Sequence, residues 1–200
     1  CRNLLDPNCF SVSDIDFRSH PNILKLGVLN MWNFNGKVKP SFAIEPKDGE
    51  ESVWDYPRPP SIQRDSRTVL IILNGNRICE TRKALKVMET ASPPSFYIPR
   101  SDIDLSYLKI NQEVTFCEWK GMANYYGDSS DSELKSICWY YPNPKSYFTS
   151  IKDHLAFYPA RVDCFINNEK VNAQKGGFYG GWVTKEIIGP FKGDDQTLGW

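Results

Sequence analysis

Neither sign of charge dominates this 200-residue chain: 24 Lys and Arg stand against 24 Asp and Glu. The long-range field that draws proteins onto polyanions is therefore missing, and no nucleic-acid partner is expected. Apolar residues never run long. No stretch approaches the ~20 needed to cross a bilayer, so no membrane span is expected. Histidine is scarce, with only His20 and His154, which stand isolated and are assigned no role. None of the six cysteines, at 1, 9, 79, 117, 138 and 164, forms a Cys-x-x-Cys pair. No metal site is expected from such spacing, and no cofactor is called for. No Asn-x-Ser/Thr sequon occurs, and no signal or transit peptide is visible. Scattered single cysteines in a chain of this size read as reduced thiols, which predicts the cytoplasm or a reducing organellar lumen rather than secretion. The chain begins at Cys1 rather than Met, and so reads as a fragment or a processed product.

What is plentiful is aromatic and turn-forming: 6 Trp, 10 Tyr and 11 Phe beside 14 Pro and 13 Gly. A disordered chain is poor in aromatics, so this one folds. At this length one core forms, burying roughly 70% of the unfolded surface. Short strands joined by long ordered loops predict a mainly β fold of antiparallel strands.

Residues 1–52 read as an N-terminal arm and 53–200 as the core domain. The arm carries the apolar run Ile23–Leu29 and the alternating run Met31–Val38, with Asn35-Gly36 as a turn signal. It predicts a strand or two packed on the domain, and offers itself as a docking segment for a protein partner. In the core, Thr68–Leu73, Asn74-Gly75 and Asn76–Thr81 predict a hairpin, and Val162–Ile166, Asn167-Asn168 and Glu169–Val171 a second. Arg82–Glu89 is balanced between strand and helix, with Pro93-Pro94 ending it either way. Phe96–Ile98, Glu113–Tyr126 and Ser136–Tyr141 predict strands. Tyr147, Ile151 and Leu155 recur at i, i+4, i+8 and predict a short helix.

The run Cys117-Glu118-Trp119-Lys120-Gly121 is chemically suggestive. A thiol beside a cation becomes a nucleophile or redox group. On a strand, however, Cys117, Trp119 and Gly121 share one face, and Lys120 points to the other. The plainer expectation is a buried Cys117 packed beside Trp119. The glycine-rich run Gly176–Trp182 lacks the order of a phosphate-binding loop. Its glycines serve positive φ and close backbone approach, while Phe178, Tyr179 and Trp182 fill the core or line a pocket.

Several segments carry a family resemblance: Trp54-Asp55-Tyr56-Pro57-Arg58-Pro59-Pro60, Tyr97-Ile98-Pro99-Arg100-Ser101-Asp102-Ile103, Cys117-Glu118-Trp119-Lys120-Gly121, Trp139-Tyr140-Tyr141-Pro142, Ala156-Phe157-Tyr158-Pro159 and Gly177-Phe178-Tyr179-Gly180-Gly181-Trp182-Val183-Thr184. In this order, over about residues 53–200, the chain resembles the family called domain of unknown function 427. The resemblance implies a small β-tent-like domain, as in methionine-R-sulfoxide reductases and the cereblon drug-binding domain. It implies no activity. Relatives with that fold hold zinc through two Cys-x-x-Cys pairs; this chain has neither, so the metal is not carried over. Some groupings place the family with nucleotidyltransferases, which bind two metal ions on a strand Asp-x-Asp after a Gly-Ser turn. Asp102-Ile103-Asp104 has that local form, but so does Asp14-Ile15-Asp16, and no Gly-Ser step occurs. Asp102 reads as a turn or capping residue.

Aromatic walls with a few convergent cations suit a small planar or anionic molecule. The expected ligand-binding residues are Arg82, Tyr97, Cys117, Trp119, Lys120, Tyr125, Tyr158, Tyr179 and Trp182. Two alternatives stand beside binding: an enzyme using Lys120, Cys117 or Tyr125 in that pocket, and an interaction subunit docked through residues 1–52.

Overall fold

The computed structural model describes residues 33–193, 197 and 200. The expectations for residues 1–32, including the run Ile23–Leu29, lie outside the described residues. The fold is mainly β. Its strands are β1 (Glu51–Ser52), β2 (Ser61–Asp65), β3 (Val69–Leu73), β4 (Asn76–Thr81), β5 (Ala84–Glu89), β6 (Ser92–Pro99), β7 (Leu108–Cys117) and β8 (Gly121–Asp128). There follow β9 (Ser136–Tyr140), β10 (His154–Phe157), β11 (Asp163–Ile166), β12 (Glu169–Lys170), β13 (Asn172–Ala173), β14 (Trp182–Val183) and β15 (Ile187–Ile188). The described helices are 3-10 turns at Arg100–Asp102, Leu105–Tyr107 and Ser146–Ile151. None of them is long and apolar enough to cross a membrane.

Two antiparallel sheets dominate: seven strands in the order β2-β5-β6-β10-β9-β8-β7, and four in the order β12-β11-β3-β4. Both predicted hairpins form. Asn74 and Gly75 take positive φ of 50° and 79°, and Asn167 and Asn168 take 47° and 68°, the conformation that two-residue hairpin turns require. The hairpins meet edge to edge, β11 pairing with β3, to make the four-stranded sheet.

Alternation gives the seven-stranded sheet two unlike faces. On one, Phe96, Ile98, Cys138, Leu155 and Phe157 join Val69, Ile71, Cys164 and Ile166 of the four-stranded sheet in a mainly apolar core that also takes in Tyr126. Trp182 belongs to this core too, fully buried, its ring tilted against Phe96 at 4.9 Å and its Nε1 donating to the Phe157 carbonyl at 3.0 Å. On the other face, cross-strand registers line up Leu85, Tyr97, Ala156, Trp139 and Tyr125 in one row spanning β5, β6, β10, β9 and β8. Tyr141, Phe148, Ile151 and Tyr158 complete that second cluster.

Four local expectations are revised. Pro93-Pro94 does not end an element: both prolines lie inside β6, beyond the reach of β10, which pairs only with Tyr97–Pro99, so no ladder partner misses their absent N–H groups. Arg82–Glu89 resolves into strand β5. Leu155 does not continue a helix from Tyr147; the 3-10 turn stops at Ile151, Asp153 takes φ 59°, and Leu155 enters β10. The alternation through Cys117 does not reach Lys120, because Glu118–Lys120 is the turn between β7 and β8.

The described part of the arm has no strand before Glu51. It packs on the domain through Phe34 and Phe42, which meet Trp54 edge-on at 5.1 Å each, while Phe42 stacks on Trp200 at 4.9 Å. Arg58 fastens this corner: it donates to the carbonyls of Phe34 (2.6 Å) and Thr90 (3.0 Å) and pairs with Glu89 at 3.3 Å.

Candidate functional site

Six of the nine predicted residues come together. Tyr97, Cys117, Trp119, Tyr125 and Tyr158 all belong to the second cluster, and Lys120 joins it with its ammonium 5.6 Å above the Phe148 ring. Polar ends run through this face. The Tyr97 hydroxyl accepts the Trp139 indole N–H at 3.1 Å. The Tyr125 hydroxyl bonds with Thr115 Oγ1 at 2.6 Å. Tyr141 sits against Tyr97 and Cys117, and Tyr158 against Tyr125. Burial pushes the Tyr97, Tyr141 and Tyr158 hydroxyls well above the usual phenol range, so all three stay protonated and neutral.

Two donors of the β7–β8 turn are left over. The Trp119 Nε1 is buried and has no hydrogen-bond partner. Lys120 is 9% exposed, and no described residue supplies it a hydrogen bond or a carboxylate within ion-pair distance; its one close neighbour of that kind is the Phe148 ring. A buried donor without an acceptor costs free energy and calls for an explanation, whereas the Lys120 ammonium, on a largely buried side chain, keeps some contact with water. Half-buried Ile62 and Leu85 pack against the cluster at its β2–β5 end, and half-buried Cys117 and Trp119 at its β7–β8 end.

The remaining three predicted residues are elsewhere. Trp182 lies in the mainly apolar core on the opposite face. Arg82 is exposed, donates to Thr68 Oγ1 at 3.0 Å, and lines an open groove of about 690 Å³ with Asp102 and Asp104. There Asp102 accepts the Thr81 hydroxyl at 2.7 Å and pairs with Lys83, while Asp104 caps Leu105–Tyr107 through Ser106 N at 3.0 Å. Tyr179 is half-buried under Lys192, whose Nζ stands 5.2 Å from its ring centroid.

The glycine-rich loop joins these regions. Gly180 rests directly on the rings of Trp139 and Tyr158, where a Cβ would collide with Trp139; close approach, as expected, is what this glycine serves. Arg161 clasps the loop by donating to the Gly177 carbonyl at 3.2 Å while lying 4.4 Å over the Tyr158 ring. Beside it, Lys192 and Arg58 share the Glu89 carboxylate at 3.8 and 3.3 Å. Burial pushes the Lys192 ammonium below its usual range; Glu89 opposes that, while Arg58 and Lys120 add to it.

Trp139, Tyr141 and Phe148 were not among the predicted binding residues. The register that puts Trp139 next to Tyr125 was available in principle, since a strand over Ser136–Tyr141 was expected, but its pairing partner was not.

A family model described as a domain of unknown function (DUF427) matches residues 61–168, more than half of the chain. The matched stretch contains the whole aromatic cluster together with Trp119 and Lys120. No curated protein matches the chain.

Proposed function

We propose that this chain, which belongs to the DUF427 family, binds a small planar anion on the hydroxyl-tipped face of its seven-stranded sheet, at the Trp119–Lys120 turn. One observation carries the reading: one turn holds, at successive residues, a buried indole N–H without an acceptor and a largely buried lysine without a carboxylate. An anion answers both at once. The neighbouring rings of Tyr125, Tyr158 and Trp119 supply flat apolar surface, and the tyrosine hydroxyls supply neutral donors and acceptors. Arg82 and Trp182 take no part, and Tyr179 contributes through the loop that closes over Trp139. The four described thiols, Cys79, Cys117, Cys138 and Cys164, are unbridged, which supports a reducing compartment.

Native mass spectrometry of the full chain, purified beside its Lys120→Met variant, tests this. A small molecule carried by the wild type and missing from the variant is the expected result. Equal occupancy of both chains would remove Lys120 from the site.

A catalytic use of the same place has one observation in its favour, the buried Lys192 with its lowered pKa beside Tyr179 and Glu89. It shifts the acid–base role from Lys120, Cys117 or Tyr125 to Lys192. Chemical change of the bound molecule that stops in Lys192→Met, while binding persists, is the outcome this second reading requires.

A further inference from the structure

We propose that the ligand is a planar monocarboxylate, its carboxylate held between Trp119 Nε1 and Lys120 Nζ; this rests on the binding reading above and deepens it. The turn offers one formal positive charge and one neutral N–H, both without partners. A carboxylate has one negative charge and two oxygens, enough to accept from both donors. A phosphate monoester brings a charge of about −1.5 to −2 near neutrality. With Lys192 and Arg58 already sharing Glu89, such a group at Lys120 would leave net negative charge among rings only 5–8% exposed, at Tyr125, Tyr158 and Trp139. Phosphate recognition also draws on helix N-termini or arginine forks. The described helices here are 3-10 turns of three to six residues, and Arg58 is occupied by Phe34, Thr90 and Glu89. A neutral amide fits the indole N–H but leaves Lys120 buried and unpaired.

The body of the ligand follows from what borders the turn. Cys117, the last residue of β7, and Trp119 itself present half-buried apolar edge there. The tyrosines behind them stay protonated because burial raises their pKa values, so they add no charge to the balance and accommodate a hydroxyl or carbonyl on the ligand ring.

Three probes of one shape separate the cases: benzoate, benzamide and phenyl phosphate, titrated calorimetrically into the full chain at neutral pH. Benzoate is expected to saturate one site, with the other two at least about tenfold weaker. Lys120→Met weakens benzoate by about thirtyfold or more, as loss of one partner of a buried charge pair does. Trp119→Phe keeps a ring but removes the donor, and weakens benzoate by roughly fivefold to tenfold. Arg82→Met, in the distant groove, leaves it unchanged. Phenyl phosphate binding most tightly, still through Lys120, would overturn the carboxylate and leave the anion reading standing. Benzamide matching benzoate would overturn the charge pairing. Absence of any Lys120-dependent binding would overturn both proposals, and circular dichroism of the variants shows whether they are folded.

Discussion

The two faces of the seven-stranded sheet are built from alternate residues of the same strands, and they differ in what they leave unfinished. One face is mainly apolar, from Phe96 and Ile98 to Leu155 and Phe157, and its polar ends find partners: the Trp182 indole donates to a backbone carbonyl, and the Tyr126 hydroxyl accepts from Arg100. The other is equally buried at Tyr97, Tyr125 and Trp139, yet at its end the Trp119 indole N–H has no acceptor and Lys120 has no carboxylate within ion-pair distance. A face that served only to bury apolar area would not retain an unpaired lysine, because replacing it with hydrocarbon removes a desolvation cost. On the proposed reading, the first face mainly carries stability and the second recognition.

Truncation on the mainly apolar face gives the largest expected effect. Trp182→Ala removes a fully buried ring packed on Phe96 and destabilises the chain by about 3–5 kcal/mol, read from the urea midpoint. A loss below ~1 kcal/mol would place Trp182 outside the stabilising core.

Alkali attacks the hydroxyl face instead. The folded pKa values of Tyr97, Tyr141 and Tyr158 are raised by burial, whereas an unfolded tyrosine titrates at about 10. Above that pH the unfolded chain has lost protons that the folded chain keeps. Their contribution is therefore complete below pH ~10 and falls as pH rises, by about 1.4 kcal/mol per unit for each tyrosine. Unfolding free energies measured between pH 9 and 11 should show a slope of several such protons. Replacing Tyr97 with Phe should remove one of them, and an unchanged slope would contradict the burial of that hydroxyl.

At neutral pH, Tyr97→Phe deprives the buried Trp139 N–H of its acceptor and costs about 1–3 kcal/mol. The same hydroxyl deletion at exposed Tyr147 should be neutral, and equal effects at the two positions would erase the distinction.

Much of this could be read from residue order. Asn74-Gly75 and Asn167-Asn168 announce their hairpins because few other pairs tolerate two positive φ angles in succession. Tyr97, Cys117, Trp119, Lys120, Tyr125 and Tyr158 were grouped through the aromatic-rich family resemblance, and strand parity bears only on Tyr97, Cys117 and Tyr125, which lie on β6, β7 and β8. The remainder was set by events that parity does not encode. A turn at Glu118–Lys120 brings Lys120 back to the side from which strict alternation removes it. Tyr179 and Trp182, three residues apart in one glycine-rich motif, part company because the chain enters β14 and turns Trp182 into the opposite core. Arg82 lies between β4 and β5 and is drawn to the four-stranded sheet, where it donates to Thr68.

The smallest expected change in stability is also the most direct test. Urea unfolding of the wild type and of Lys120→Met, each with and without millimolar benzoate, compares the cost of the lysine with its use. The account predicts that the variant unfolds at or above the wild-type midpoint in plain buffer. Benzoate should then raise the wild-type midpoint, as linkage to the folded state requires, and leave that of the variant unmoved. A variant destabilised by ~2 kcal/mol or more, and still stabilised by benzoate, would show that Lys120 is part of the core and that the anion binds elsewhere.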